Sequence, residues 1–407
     1  MNEDLPIGIL ELGNINIKCI IFKTQDDKVE ILSTHIAKSE GIHNDIIMNI
    51  SKASIAIRHC ISKAEEKAKI SLKKINLVFE QTDFLCTKFS KHKKIDGSKI
   101  HKDDIDFLLK EAKKQLSLND NKQSIIHIFN HNYVVDGKKF TDEPIGVYAD
   151  SLTHEITFVT TPKNNLKNIN QVFIDCDIEI SRVFSRVFSL GVNLLSHKEL
   201  EFGSAIIDLS FEKISFGLFK NLALVHSITL PIGTNHITKD ISKVCSLSLG
   251  EAENIRNNID FSFENNKNIF NEDGYLKENY FTNSNFRKIS KNLIINIIKS
   301  RLEEIFEKLK KQLIVPGFSL NSGINIFLTG EGASLVNIEK YFANVFTYNI
   351  KKINNNHYSE ENSDIKTNFA SCFGALKIIK DGWETEAIPE EDKDDLKQIG
   401  FFDKFFR

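Results

Sequence analysis

One pattern occurs twice in this chain and constrains its fold more than any other feature. Residues 7–36 read as strand, turn, strand, turn, strand: IGILELG, NIKCIIFK and KVEILSTHIA are apolar runs joined by short polar turns. At Phe202 the run FGSAIIDLSFEKISFGLFKNLALVHSITLP repeats that arrangement. Each copy carries an acid near the end of its first strand, Glu11 in one and Asp208 in the other. A duplication on this scale predicts two lobes built to one plan.

The stretches between the copies are less regular. Residues 45–69 have helical spacing, with Ile46, Ile50, Ile57 and Ile61 near one face. INLVFE (75–80) reads as a further strand. Residues 83–160 change texture: strand, charged helix (HKDDIDFLLKEAKKQL), strand, strand, as expected of a small inserted α/β subdomain. Helices are expected over 234–258 and 285–313, and INIFLTGEGASLVNIEKYF (324–342) reads as buried strand, glycine loop, helix. ETEAIPEEDKDD (384–395) is acidic, contains Pro389 and reads as a linker.

Composition excludes several classes. A formal net charge of −2 gives no global field for nucleic acid. Six cysteines, scattered singly with no CxxC pair, argue against a zinc site or a disulfide framework and for a reducing compartment. The opening MNEDLPIGIL lacks the basic start and long apolar core of a secretory signal. No run reaches the roughly 18 apolar residues of a spanning helix. The 12 histidines show no metal spacing, and no Ser/His/Asp arrangement points to catalysis.

The last residues, GFFDKFFR, place four phenylalanines at a terminus. On a helix, Leu396, Ile399, Phe402 and Phe406 share a stripe with Phe405 beside it, Phe401 adds apolar surface, and Lys397, Lys404 and Arg407 can point to lipid headgroups. Each Phe at an interface gains about 1–2 kcal/mol, so the expected binding is modest and reversible, and strengthened by clustering of copies. The alternative is a terminal helix docked on its own body.

Two meanders that open on strand–acid–turn, with a late strand–TG–helix, resemble the actin/Hsp70/sugar-kinase ATPase fold. Within it the chain is similar to the bacterial cell-division FtsA family over nearly its whole length. LELGNINIKCII resembles that family's first phosphate hairpin. HNYVVDGKKFTDEPIGVYADSLTHEITFV resembles its inserted subdomain, with Tyr133, Asp136, Gly137, Pro144, Gly146, His154 and Ile156 in register. IGTNHITKDISKVCSLSLGEAENIR (232–256) is the strongest stretch, and RKISKNLIINIIKSRLEEIF matches the helix of subdomain 2B. The resemblance implies an α/β, actin-like two-lobed ATPase fold with duplicated RNase H-like lobes and an inserted small α/β subdomain. It implies the divisions 1–82 and 163–200 (1A), 83–162 (1C), 201–241 and 311–362 (2A), 242–310 (2B), 363–383 (return to 1A), 384–395 (linker) and 396–407 (amphipathic membrane helix).

In that fold one hairpin from each lobe touches the phosphates of ATP with Mg. Glycines let backbone N–H groups approach the phosphate, and an acid at each strand end positions metal and water. The resemblance places Glu11, Gly13, Asn14 (where Ser or Thr is usual) and Lys18 at the first hairpin. It places Gly233 beside the phosphates, Glu253 and Arg256 at the base and ribose, and Gly330, Glu331 and Gly332 in the adenosine loop. The second hairpin departs from the family's Asp-hydrophobic-Gly-Gly-Gly-Thr. It reads Asp208-Leu209-Ser210-Phe211-Glu212-Lys213. Phe211 is expected to crowd a phosphate and Glu212 to repel it, with Lys213 offering one compensating charge. Two readings stay open: ATP held without hydrolysis, or a scaffold with weak or no nucleotide binding. At most a weak ATPase is expected.

The resemblance further implies an adaptor on the inner face of the cytoplasmic membrane at the division site. Its partners would be copies of itself in head-to-tail polymers, membrane lipid, downstream division proteins and the C-terminal peptide of the tubulin-like FtsZ. Arg287, Lys288, Lys291 and Arg301, with Ile294 and Ile298 between them, are the expected peptide contacts. An ordinary solvated helix face is the plainer reading of those lysines. The other functional readings are a PilM-like adaptor of pilus assembly and a true actin-like ATPase.

Overall fold

The structure, a computed structural model, describes residues 6–25, 28–313, 324–346, 349–353 and 363–381. The expected linker and membrane helix (384–407) lie outside the described residues. Strand β1 (Ile7–Leu12) is apolar on both faces and buried along almost all of its length, as a central strand covered on both sides must be. It pairs antiparallel with β2 (Asn16–Gln25), which pairs antiparallel with β3 (Lys28–Lys38). A two-residue ladder, β4 (Ile42–His43) with β5 (Ile46–Ile47), leads into α1 (Ile50–Ala68). The helix starts later than its apolar spacing suggested. Asn44 and Asp45 take positive φ, and Asn49 accepts from the Lys52 N–H as its N-cap. Ile46 therefore sits in the ladder, and the buried face runs through Ala53, Ile57, Cys60, Ile61 and Ala64. Strand β6 (Lys74–Phe79) returns parallel to β1.

The insertion follows as β7 (Leu85–Lys99), α2 (Lys102–Asn119), β8 (Gln123–Val135), β9 (Lys138–Phe140) and β10 (Tyr148–Pro162), an antiparallel sheet of order β7-β10-β8-β9. One face of α2 (Ile105, Leu108, Ala112, Leu116) packs on Leu152, Ile156 and Phe158. The motif residues noted in the sequence hold this subdomain together. The Tyr133 and His154 rings stack at 4.4 Å, and Asp136 accepts from the Asp150 and Ser151 N–H groups across a turn where Gly137 takes φ +80°. Then come α3 (Lys163–Asp175), β11 (Glu179–Ser185) parallel to β6, α4 (Arg186–Leu194) and α5 (His197–Phe202). The sheet order is β11-β6-β1-β2-β3.

The second copy repeats that plan. Strands β12 (Ser204–Leu209), β13 (Ile214–Lys220) and β14 (Ala223–Leu230) form its meander. Helices α6 (Thr234–Cys245), α7 (Leu249–Asn258) and α8 (Lys291–Leu313) come next, then β15 (Asn325–Thr329), a 3₁₀ turn at Glu331–Ser334, α9 (Ile338–Phe346) and β16 (Asn349–Lys352). The order β14-β13-β12-β15-β16 mirrors that of the first sheet, with β15 and β16 in the places of β6 and β11. Glu11 and Asp208 each occupy the fifth position of a six-residue central strand. The single helix expected over 234–258 is two, because Ser246 adopts φ +50° and Ser248 starts α7 with a capping box to Glu251. Glu251 also accepts from Asn283 and Ser284, which secures the loop before α8. Helix α8 begins at Lys291 rather than 285.

Helices α10 (Ser363–Asn368) and α11 (Ala370–Asp381) close the described chain. Contacts divide the molecule into two units. One holds the described residues up to Gly203, Gly217–Ser227, and α10 and α11; the other holds Ser204–Phe216 and the described residues from Ile228 through 353.

Candidate functional site

Each unit ends its central strand in a hairpin, and the two are described separately. In the first unit Glu11 is buried, and its carboxylate is enclosed by positive charge. Lys18 Nζ lies 3.2 Å from Oε1 and Arg186 Nε lies 3.4 Å from it, while the Ser371 hydroxyl donates to Oε2. Burial raises the pKa of this carboxyl, but Lys18, Arg186 and Ser371 together outweigh it and hold the group at about 2. Lys18 also donates to the Asn368 carbonyl at 2.9 Å. Its ammonium is thus shared between β1 and the end of α10. Asn14, expected at the phosphate, accepts from the Asp45 N–H at 2.6 Å and pins the turn between β4 and β5. At Gly13 a Cβ would stand 2.9 Å from the Asn16 carbonyl oxygen, so the tight hairpin itself requires glycine there. Arg186 and Ser371 were not anticipated. Both come from distant segments, and neither lies in a local motif with Glu11.

In the second unit Asp208 is fully buried and accepts from the Ser210 hydroxyl at 3.2 Å. The Ser210 N–H donates to the Lys213 carbonyl at 3.0 Å and closes the loop. That loop lies across the start of α6. Thr234 N–H donates to Ser210 O at 3.1 Å and Asn235 N–H to Phe211 O at 2.8 Å. The Glu212 carboxylate accepts from the Asn235 amide at 2.7 Å and lies 3.8 Å from Lys239 Nζ. Thr234 Oγ1 is buried without a hydrogen-bond partner, beside a small apolar cavity of about 20 Å³ lined by Leu209, Ile237, Leu302 and Phe342. Lys213, expected to offer a charge to phosphate, is buried.

The adenosine-side residues are likewise engaged within this unit. The Arg256 guanidinium lies over the Phe211 ring at 5.6 Å, and donates to Thr238 Oγ1 at 3.0 Å, Asn257 Oδ1 at 2.9 Å and Glu253 Oε1 at 3.2 Å. Gly330 takes φ +86°, and a Cβ on it would meet Asp208 Oδ1 at 2.4 Å and Leu209 O at 2.6 Å. At Gly332 a Cβ would meet Thr234 Cγ2 at 2.6 Å. Glu331 opens the 3₁₀ turn between them. Residues 208–213, 233–235 and 330–332 are therefore brought together as expected, but the donors at the start of α6 are paired with acceptors of the 210–212 loop. A phosphate needs unpaired N–H groups at the start of α6, and the first two already have carbonyl partners. The second hairpin does not fit a phosphate. Among the described residues no group of three or more His, Cys, Asp or Glu is arranged to hold a metal.

The expected peptide contacts on α8 need correction. Ile294 and Ile298 are buried in the core rather than open to a peptide: both have 0% accessible surface and continue into the buried stripe Leu302, Ile305 and Leu309. Arg301 forms a two-point contact with Asp240, at 2.6 and 2.9 Å, and a further ion pair with Glu304. Arg287 donates to the Cys245 and Ser246 carbonyls at the end of α6. Lys288 is exposed, its ammonium 5.4 Å from the Tyr275 ring, Lys291 is half-buried, and Phe286 and Leu293 in the same segment are exposed.

Two sheets of equivalent order, each with an acid near the end of its central strand, and an α/β subdomain inserted in the first unit give the chain the actin-like ATPase fold. Comparison with solved structures agrees. The chain superposes on a PilM–PilN type IV pilus biogenesis complex with a TM-score of 0.62 at 11% identity, covering 91% of this chain and 98% of that one. MreB5 of Spiroplasma citri bound to ADP gives 0.51 at 12% identity, covering 94% and 98%. Sequence comparison is more specific. The family model for cell division protein FtsA matches residues 205–374, and that for the SHS2 domain inserted in FtsA matches 85–160. The FtsA of Buchnera aphidicola (subspecies Schizaphis graminum) is 23% identical across 100% of this chain and 96% of its own length. The chain belongs to the FtsA family, as a divergent member.

Proposed function

We propose that this chain is an adaptor of cell division that tethers FtsZ filaments to the inner face of the cytoplasmic membrane and assembles head to tail with its own copies. The observation that carries the reading is the pair of FtsA-family matches, one to residues 205–374 and one to the SHS2 subdomain inserted in FtsA. Among the described residues no helix is long and apolar enough to cross a membrane. The attachment is assigned to the sequence 396–407, through Leu396, Ile399, Phe401, Phe402, Phe405 and Phe406, with Lys404 and Arg407 at the headgroups. The FtsZ peptide is assigned to the segment just before and at the start of α8, where the exposed Phe286, Lys288 and Leu293 and the half-buried Lys291 combine apolar and basic groups that suit an acidic–apolar segment.

Nucleotide binding is proposed to be weakened. The ADP-bound MreB5 structure supports a nucleotide-compatible fold, but here Lys18, Asn14 and the first donors of α6 all have partners within the chain. No catalytic step is assigned to any residue. A PilM-like role rests on fold likeness at 11% identity, and the SHS2-domain match favours the division role.

Sedimentation with liposomes tests the proposal, comparing the full chain with one ending at Asp395. The full chain should pellet and the shortened one should stay in solution. Pelleting of both would remove the membrane assignment. FtsZ lacking its C-terminal peptide should lose binding, and undiminished binding would remove the peptide assignment.

A further inference from the structure

We propose that the Ser210–Lys213 loop is the ligand of its own unit. Its carbonyls and the Glu212 carboxylate fill the anion cradle at the start of α6, so that this unit is held in a filled arrangement without nucleotide.

The start of a helix leaves N–H groups unpaired and carries partial positive charge, so it draws an anion. In α6 those needs are met from within. The Thr234 and Asn235 N–H groups donate to the Ser210 and Phe211 carbonyls at 3.1 and 2.8 Å. The Gly233 N–H is taken by His236 Nδ1 at 3.1 Å. Negative charge is supplied by Glu212, held by the Asn235 side chain at 2.7 Å with Lys239 3.8 Å away. The loop thus gives the helix both of the things a phosphate gives: acceptor oxygens and a negative charge.

The glycines carry the same message independently. A Cβ on Gly233 would stand 2.3 Å from Phe211 O and 2.5 Å from Ser210 O, with no room for it. The atoms that forbid a side chain there belong to the loop. The Gly330 position is closed in the same way by Asp208 and Leu209. These glycines admit the protein's own backbone. Phe211 completes the occupation, its ring lying under the Arg256 guanidinium at 5.6 Å. An entering phosphate would have to displace two backbone hydrogen bonds and stand beside a carboxylate.

The test is hydrogen exchange on the full-length chain, read over residues 232–238, alone, with inorganic phosphate, and with ATP and magnesium. The Thr234 and Asn235 amides should be protected without ligand, and neither phosphate nor ATP should slow them by more than about threefold. Amides that need a nucleotide would slow by up to about a thousandfold at a thousand times its dissociation constant, and that result would overturn the proposal. Fast exchange of both amides in the absence of ligand would overturn it as well. A second measurement uses the double variant F211G/E212G, which removes the Glu212 carboxylate and the Phe211 ring and frees the loop backbone that carries the two carbonyls. Its unfolding midpoint should fall, and a variant as stable as the parent chain would contradict the proposal. The adaptor reading does not depend on this outcome, since its liposome and FtsZ measurements report on other surfaces.

Discussion

The two hairpins end equivalent strands at equivalent positions, yet they are satisfied by opposite means. In the first unit the end of β1 is held by side-chain charge: one carboxylate, Glu11, between Lys18 and Arg186, with Ser371 completing its hydrogen bonds. In the second the end of β12 is held by backbone: the Ser210 and Phe211 carbonyls on the first N–H groups of α6. The first device gathers residues from β2, α4 and α11 and ties the central strand to α10 and α11. The second is local and closes within one loop and the helix after it. Duplicated halves thus meet one requirement, a strand end crowded with polar groups, once by charge and once by hydrogen bonds. The charge device should respond to pH and to loss of a partner. The backbone device should respond to added bulk.

The largest effect is expected from Glu11→Ala, which strands two partly buried cations. Chemical unfolding should show a loss of about 3–5 kcal/mol. Acid separates the two devices next. The Glu11 carboxyl titrates at about 2 in the folded chain against an ordinary 4.5. Its folded-state pKa is depressed, so its contribution is complete above about pH 4.5 and is lost as the pH falls toward 2. A Glu11→Gln variant should lack that portion of the acid dependence, and an unchanged profile would show that the cluster is not the acid-sensitive element. Gly233→Ala tests the backbone device, and the buried overlap with the Phe211 carbonyl should cost about 1–3 kcal/mol in the same unfolding measurement. Glu212→Gln should have the smallest effect, below about 1 kcal/mol, because its pair with Lys239 is half exposed and the Asn235 hydrogen bond survives.

Much of the fold was legible because it repeats. The meander and its acid recur, and the equivalent sheet orders follow from that recurrence. What fills each hairpin was not legible. Arg186 and Ser371 reach Glu11 only through the tertiary fold, and no local spacing announces them. The loss of glycine from 210–213 was visible, but the sequence suggested only a poor phosphate site. That the loop's own carbonyls pair with the first N–H groups of α6 depends on how the end of β12 meets that helix. The α8 stripe was misleading for a related reason. Apolar residues at helical spacing are the same whether they face a partner or a core, and Ile294 and Ile298 face the core. Arg301 looked available because its partner Asp240 lies on another helix.

The most direct test of the self-satisfied hairpins is a calorimetric titration of ATP with magnesium into the full-length chain. The account predicts no saturable binding at nucleotide concentrations up to about 1 mM. A dissociation constant in the micromolar range or below would mean that the hairpin donors are free to a ligand, and would contradict it.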